Sequence, residues 1–214
     1  MTPATLLSDQ SAVRRGGKMN EKPILFSCEM VRAILSGAKT QSRRVVKNAR
    51  GANSLYAGEH DGLWVVERFG DAASTTIKCP YGKPGDHLWV REMWKPRGVG
   101  QGCATTPAIY AAEYTFPNVV KAMRPWKPSI FMPRWASRIT LEIVEVRVQR
   151  VQDIGEEDAQ AEGVGPLRAD GRMPYGVFAS DEFADLWDSI NMKRGFGWNV
   201  NPFVWVITFK RVTP

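Results

Sequence analysis

The sequence predicts an α+β protein that is mainly β: a small β-barrel with a few peripheral helices. Three observations carry this reading. From Ile139 to Val151 the apolar residues alternate on odd positions (Ile139, Leu141, Ile143) and then on even ones (Val144, Val146, Val148). A one-residue phase slip within a strand marks a bulge, the device a small barrel uses to bend. The run Phe203 to Phe209 is apolar on both faces, as a central strand would be. Helical stripes are few and short, at 28–36 and 181–190.

Taken in order, residues 1–21 read as a flexible basic N-terminal extension, polar and carrying Arg14-Arg15-Gly16-Gly17, with Met19 as an alternative start. Residues 22–214 read as a single domain with loop insertions. Lys22 to Phe26 suits a short strand, and Ser27 an N-cap with Glu29 in the first turn. Met30, Val31, Ile34 and Leu35 share one helical face, which Gly37 ends. The basic stretch from Lys39 leads into a strand at Val45-Val46. Between 48 and 78 only Leu63 to Val66 reads as a strand. Pro80 to Asp86, with two prolines and two glycines, is a turn delivering the strand 87–93. In that strand Glu92 shares a face with Leu88 and Val90, so its carboxylate reaches solvent or points into a cavity. A further strand is expected near Ile109. Asp153 with Glu156 resembles a capping box opening a short helix that ends at Gly163. Residues 165–179 read as loop. Ser180 is the expected cap of the last helix, whose buried stripe is Phe183, Leu186, Trp187 and Ile190.

Charge and composition exclude several classes. The chain of 214 residues carries a net +7. Its first fifty residues hold ten basic and three acidic side chains, and the remainder is balanced. An anionic partner is therefore expected near the start of the domain, against the plainer reading of a solvated tail and charged helix face. No apolar run approaches a membrane span, and the N-terminus lacks the apolar block of a signal peptide, so a cytoplasmic protein without membrane contact is expected. The three cysteines (Cys28, Cys79, Cys103) form no C-x-x-C, and His60 and His87 are the only histidines. Cys79 with His87 matches no usual ligand spacing, and the zinc deaminase signature is absent, so no metal site is expected.

Gly37 to Arg44 holds the most chemistry: an amine (Lys39), hydroxyls (Thr40, Ser42) and two guanidiniums (Arg43, Arg44). Extended, it puts Lys39, Gln41 and Arg43 on one side and Thr40, Ser42 and Arg44 on the other. A turn bringing Lys39 over Ser42 would set an amine beside a hydroxyl, with the arginine charges easing loss of the lysine proton. On residue types alone, an exposed basic turn accounts for the segment as well. Trp94, Trp126 and Trp135, each near Lys or Arg, suit either base stacking or the core, and Tyr81 suits a cleft wall. The run Glu156-Glu157-Asp158 reads as an acidic helix start with no further role.

Gly37, Lys39, Ser42 and Arg44 together form a G-x-K-x-x-[hydroxyl or acid]-x-R pattern that resembles the signature of the ASCH family, small relatives of the PUA domain. Pro84 to Trp94, Met132 to Ile139 and Asn201 to Val206 resemble stretches of its larger, phage-associated members, so the likeness spans about residues 22 to 212. The resemblance implies a β-barrel with a nucleic-acid cleft. One branch of the family removes the acyl group from N4-acetylcytidine and related nucleosides with a lysine, a threonine and a glutamate. By position these are Lys39, Ser42 and Glu92, with Ser42 keeping the hydroxyl. The resemblance thus implies a metal-independent amidohydrolase needing no cofactor, with a modified cytosine nucleoside or RNA as partner. From the residue types, Arg43 and Arg44 as a charged rim, Tyr81 and Trp94 are expected on the substrate. A non-catalytic RNA-binding or modified-base-reading module is the alternative, since other members are thought only to bind RNA. Ribonuclease activity would want an acid/base pair at a phosphate site, for which the histidines are not placed.

Overall fold

The alternating and doubly apolar segments become the two longest strands of a computed structural model that describes residues 20–58, 62–70, 73–97, 108–114, 125–164 and 178–212. Residues 1–19 of the expected extension, and the expected loop as far as residue 177, lie outside the described residues. The strands are β1 (Glu21–Leu25), β2 (Gln41–Val45), β3 (Ser54–Ala57), β4 (Leu63–Glu67), β5 (Thr75–Lys78), β6 (His87–Arg91), β7 (Trp94–Pro96), β8 (Ala108–Tyr110), β9 (Thr140–Arg150) and β10 (Phe203–Val212). The α-helices are α1 (Cys28–Ser36), α2 (Glu156–Ala161) and α3 (Ala179–Asn191), with short 3-10 turns between elements. The class is α+β and predominantly β. None of the helices among the described residues is long and apolar enough to cross a membrane.

The main sheet runs β1-β6-β9-β10-β2, parallel only between β1 and β6. The phase slip is a register shift: Thr208 pairs with Glu145 but Phe209 with Ile143, leaving Val144 as the extra, exposed residue of β9. It lets Ile143 and, beyond the bulge, Val146 and Val148 all pack on one core with Leu88, Leu141 and Ile207. β10 is buried on both faces because α2 and α3 cover its other side, where Val204 and Val206 meet Phe183 and Trp187. β1 and β2 are the two edges of the sheet. No ladder joins them among the described residues, so the barrel is open along that seam. Arg44 spans it, its Nη2 donating to the Leu25 carbonyl at 2.7 Å with the guanidinium 5.1 Å from the Phe26 ring.

α1 has the expected ends. The Ser27 hydroxyl accepts from the Met30 amide at 3.3 Å, and Gly37 at φ +82° returns its N–H to Ile34. Other expectations are corrected. The 48–78 region holds three strands rather than one, an antiparallel β3-β4-β5 sheet whose β3 and β5 are mostly exposed and so show little apolar alternation. The strand after Lys39 starts at Gln41, with polar residues buried in it rather than on a surface turn. Asp153 ends a 3-10 turn, its carboxylate accepting from the Arg150 amide at 3.1 Å, while Gly155 precedes α2. α3 is capped not by Ser180 but from α2: Glu156 accepts from the Ala179 and Ser180 amides at 2.6 and 3.2 Å.

Candidate active site

Lys39 leaves α1 through Gly37 and is pinned by backbone bonds, its N–H to Ala33 at 3.0 Å and the Thr40 N–H to Ala161 at 2.9 Å. These bring the end of α2 against it, where Lys39 and Glu162 form an antiparallel bridge. Lys39 is 2% exposed, and its ammonium donates to the Glu162 carboxylate and to the Glu162 carbonyl, each at 2.7 Å. Glu162 Oε1 accepts from Arg43 Nη1 at 3.1 Å. Arg43 Nη2 reaches Asp158 at 2.7 Å, and Arg147 reaches the same oxygen at 2.6 Å. Gln41 links the two, accepting from Arg43 and donating to Asp158 at 3.2 Å.

Burial pulls Lys39 below its ordinary pKa; the Arg44 and Arg43 charges add to this, and Glu162 opposes it. Burial would raise the Asp158 carboxyl, but hydrogen bonds from Arg147 and Arg43 outweigh it and the net displacement is downward.

Over this cluster lies a cavity of about 260 Å³ at the open seam. Ser42, Arg43, Arg44 and Val45 all line it, so it is entered across the edge of β2, where both faces of a strand are accessible. The backbone bonds from Val46 to Phe203 and from Phe209 to Thr40 turn the even-numbered residues toward β10. The amides of Gln41, Arg43 and Val45 therefore face the open edge. Leu25, Tyr81, α3 residues including Trp187, and Arg194 in the 3-10 turn after α3 complete the wall, and Glu162 is its one carboxylate among the described residues. Arg43 Nε and Arg44 Nε are buried without a hydrogen-bond partner among the described residues.

The structure brings together Lys39, Ser42, Arg43, Arg44 and Tyr81. Ser42 and Tyr81 are in the cavity wall, with Lys39 just behind Glu162. It does not bring Glu92 to them. Glu92, 1% exposed, is paired with Arg138 at 2.9 and 3.1 Å, and Arg138 also meets Glu113 at 2.7 Å. The Glu92 carboxylate thus meets neither solvent nor Lys39; burial raises its pKa and Arg138 draws it back. Trp94 is likewise corrected. It is buried in a small separate core with Tyr110, Met132 and Ala136, edge-on to the exposed Trp135, and lines no part of this cavity. Arg43 is buried in the ion-pair network rather than standing as an exposed rim. Asp158, set aside as a helix start, anchors that network. Glu162 and Arg194 were missed altogether; an acid at the end of a six-residue helix carries no local mark of its partner 123 residues away.

No family model matches the sequence, and no curated protein matches it. Among solved structures, the chain is similar to an ASCH domain from Lactobacillus crispatus JV V101, with a TM-score of 0.40 and 12% identity over 90% of this chain and 79% of that one. It is also similar to a DUF984 protein of Enterococcus faecalis V583, with a TM-score of 0.41 and 10% identity over 91% and 80% of the two chains.

Proposed function

We propose that the cavity hydrolyses the acyl amide of an N4-acylated cytosine, releasing the cytosine amine and a carboxylic acid. The observation that carries the reading is the Lys39–Glu162 pair, buried behind a cavity that Glu162 and Ser42 both line. Glu162 takes the place the sequence assigned to Glu92. A water, or Ser42 itself, attacks the acyl carbonyl, and its proton passes to the Glu162–Lys39 pair. As the C–N bond breaks, the pair returns that proton to the departing N4. If Ser42 attacks, a water then cleaves the ester it forms. Lowering the lysine pKa makes this exchange easier near neutral pH. Tyr81 and Trp187 offer aromatic surface to the base, and Arg44 and Arg194 positive charge to its oxygens.

A base-reading module without catalysis is the second reading. It is favoured by the burial of Lys39, whose ammonium is held by Glu162 and is not itself part of the wall. Incubation with N4-acetylcytidine, with cytidine release followed by chromatography, separates the two. Hydrolysis by the wild type and a loss of about 10²-fold or more in Lys39→Ala support the enzyme. Equal rates, or no release by the wild type, support the module. Near-complete loss in Ser42→Ala identifies a hydroxyl nucleophile, and a modest loss identifies water.

A further inference from the structure

A second cavity, of about 360 Å³, adjoins the first, and the two share Val45, Lys47 and Tyr81 as common wall. Its far side comes from the inserted β3-β4-β5 sheet, through Ile77 and Lys78 at the end of β5. Trp205 of β10, buried and packed edge-on to Trp64, adds apolar lining beside Asn48. Among the described residues the lining contains two amines, Lys47 and Lys78, and no carboxylate. Both lysines are exposed, free to move onto a ligand.

We propose that this second cavity receives the nucleotide next to the reactive base, so that the substrate is an acylated cytosine carried in a single strand of nucleic acid. The inference rests on the acylcytosine reading of the first cavity and adds the substrate's size and charge. A free nucleoside carries no phosphate and occupies one cavity, leaving Lys47 and Lys78 without an anion. A strand crosses the shared wall at Tyr81 and Lys47, sets its linking phosphate between the two amines, and lays its next base against Ile77, Tyr81 and Trp205. A mononucleotide offers the same phosphate but no second base.

The test uses the full chain and measures binding separately from turnover. A fluorescent trinucleotide with central N4-acetylcytosine is titrated by anisotropy at two salt concentrations, with N4-acetylcytidine and its 5′-monophosphate as competitors. The trinucleotide should bind most tightly and the nucleoside least. Lys78→Glu, an exposed substitution outside the first cavity, should weaken the trinucleotide about tenfold at low salt and flatten its salt dependence. It should leave competition by the nucleoside unchanged. Unaltered trinucleotide binding in Lys78→Glu overturns the proposal, as does a monophosphate binding as well as the trinucleotide. The two readings fail separately: Lys78-dependent strand binding without cytidine release removes the hydrolase and keeps the second subsite. Hydrolysis of the nucleoside with no gain from a strand does the reverse.

Discussion

Lys39 and Arg43 lie on one side of an extended segment and direct their charge to the carboxylates of α2 and its C-cap, Lys39 to Glu162 and Arg43 to both Glu162 and Asp158. Buried pairs of this kind add little net stability while intact, but removing one member strands the other's charge at a cost of about 3–5 kcal/mol. Asp158 gives a pH-dependent measure of the network. Its carboxyl is held below its ordinary value, so its contribution is full above about pH 4 and is lost as pH falls through the lowered native value. Asp158→Asn should therefore be less stable than the wild type at pH 7 in urea denaturation, with the gap closing on acidification into that range. A gap independent of pH would place the effect in packing instead. At this scale the sequence revealed half of the site. Lys39, Ser42 and the arginines were visible because they stand within six residues of one another. Glu162 was not, because only the packing of α2 against the α1 exit brings it there, and Glu92 looked suitable only while Arg138 had not been placed beside it.

Two glycines govern how the elements meet at Lys39. Gly37 ends α1 at φ +82° with open space around the position of a β-carbon, so Gly37→Ala should cost about 1 kcal/mol and leave the site intact. Gly163, at φ +76°, would place a β-carbon 3.0 Å from both the Ala33 and the Lys39 β-carbons. Gly163→Ala should cost more, about 1–3 kcal/mol, and should also displace the Lys39–Glu162 pair. Thermal midpoints together with cytidine release distinguish the two variants. Equal effects of both on stability and release would contradict the tight approach of α2 to the α1 exit. The strongly patterned elements, α1, β6, β9 and β10, were legible in the chain. β3 and β5 were not, since four-residue strands that each turn a single large apolar side chain, Leu55 or Ile77, onto the core leave no apolar period to read.

Over the whole molecule, the open seam between β1 and β2 both makes the cavity and exposes a weak line in the barrel. Arg44 is the side chain across it, bonded to Leu25 and lying over Phe26. Arg44→Met keeps much of the apolar stem and loses the charged hydrogen bond, so it should destabilise the fold by about 1.5–3 kcal/mol. Amide exchange should quicken first at residues 21–26. Uniform quickening across β9 and β10 would show that the seam is not where the barrel opens.

The most direct test of the account is to compare cytidine release from N4-acetylcytidine by Glu162→Gln and Glu92→Gln under identical conditions. Glu162→Gln should lose about 10²-fold or more while remaining folded by circular dichroism. Glu92→Gln, away from the cavity, should keep near wild-type turnover at a temperature where it is folded. The opposite pattern, with Glu162→Gln active and Glu92→Gln inactive though folded, would contradict the site described at the seam.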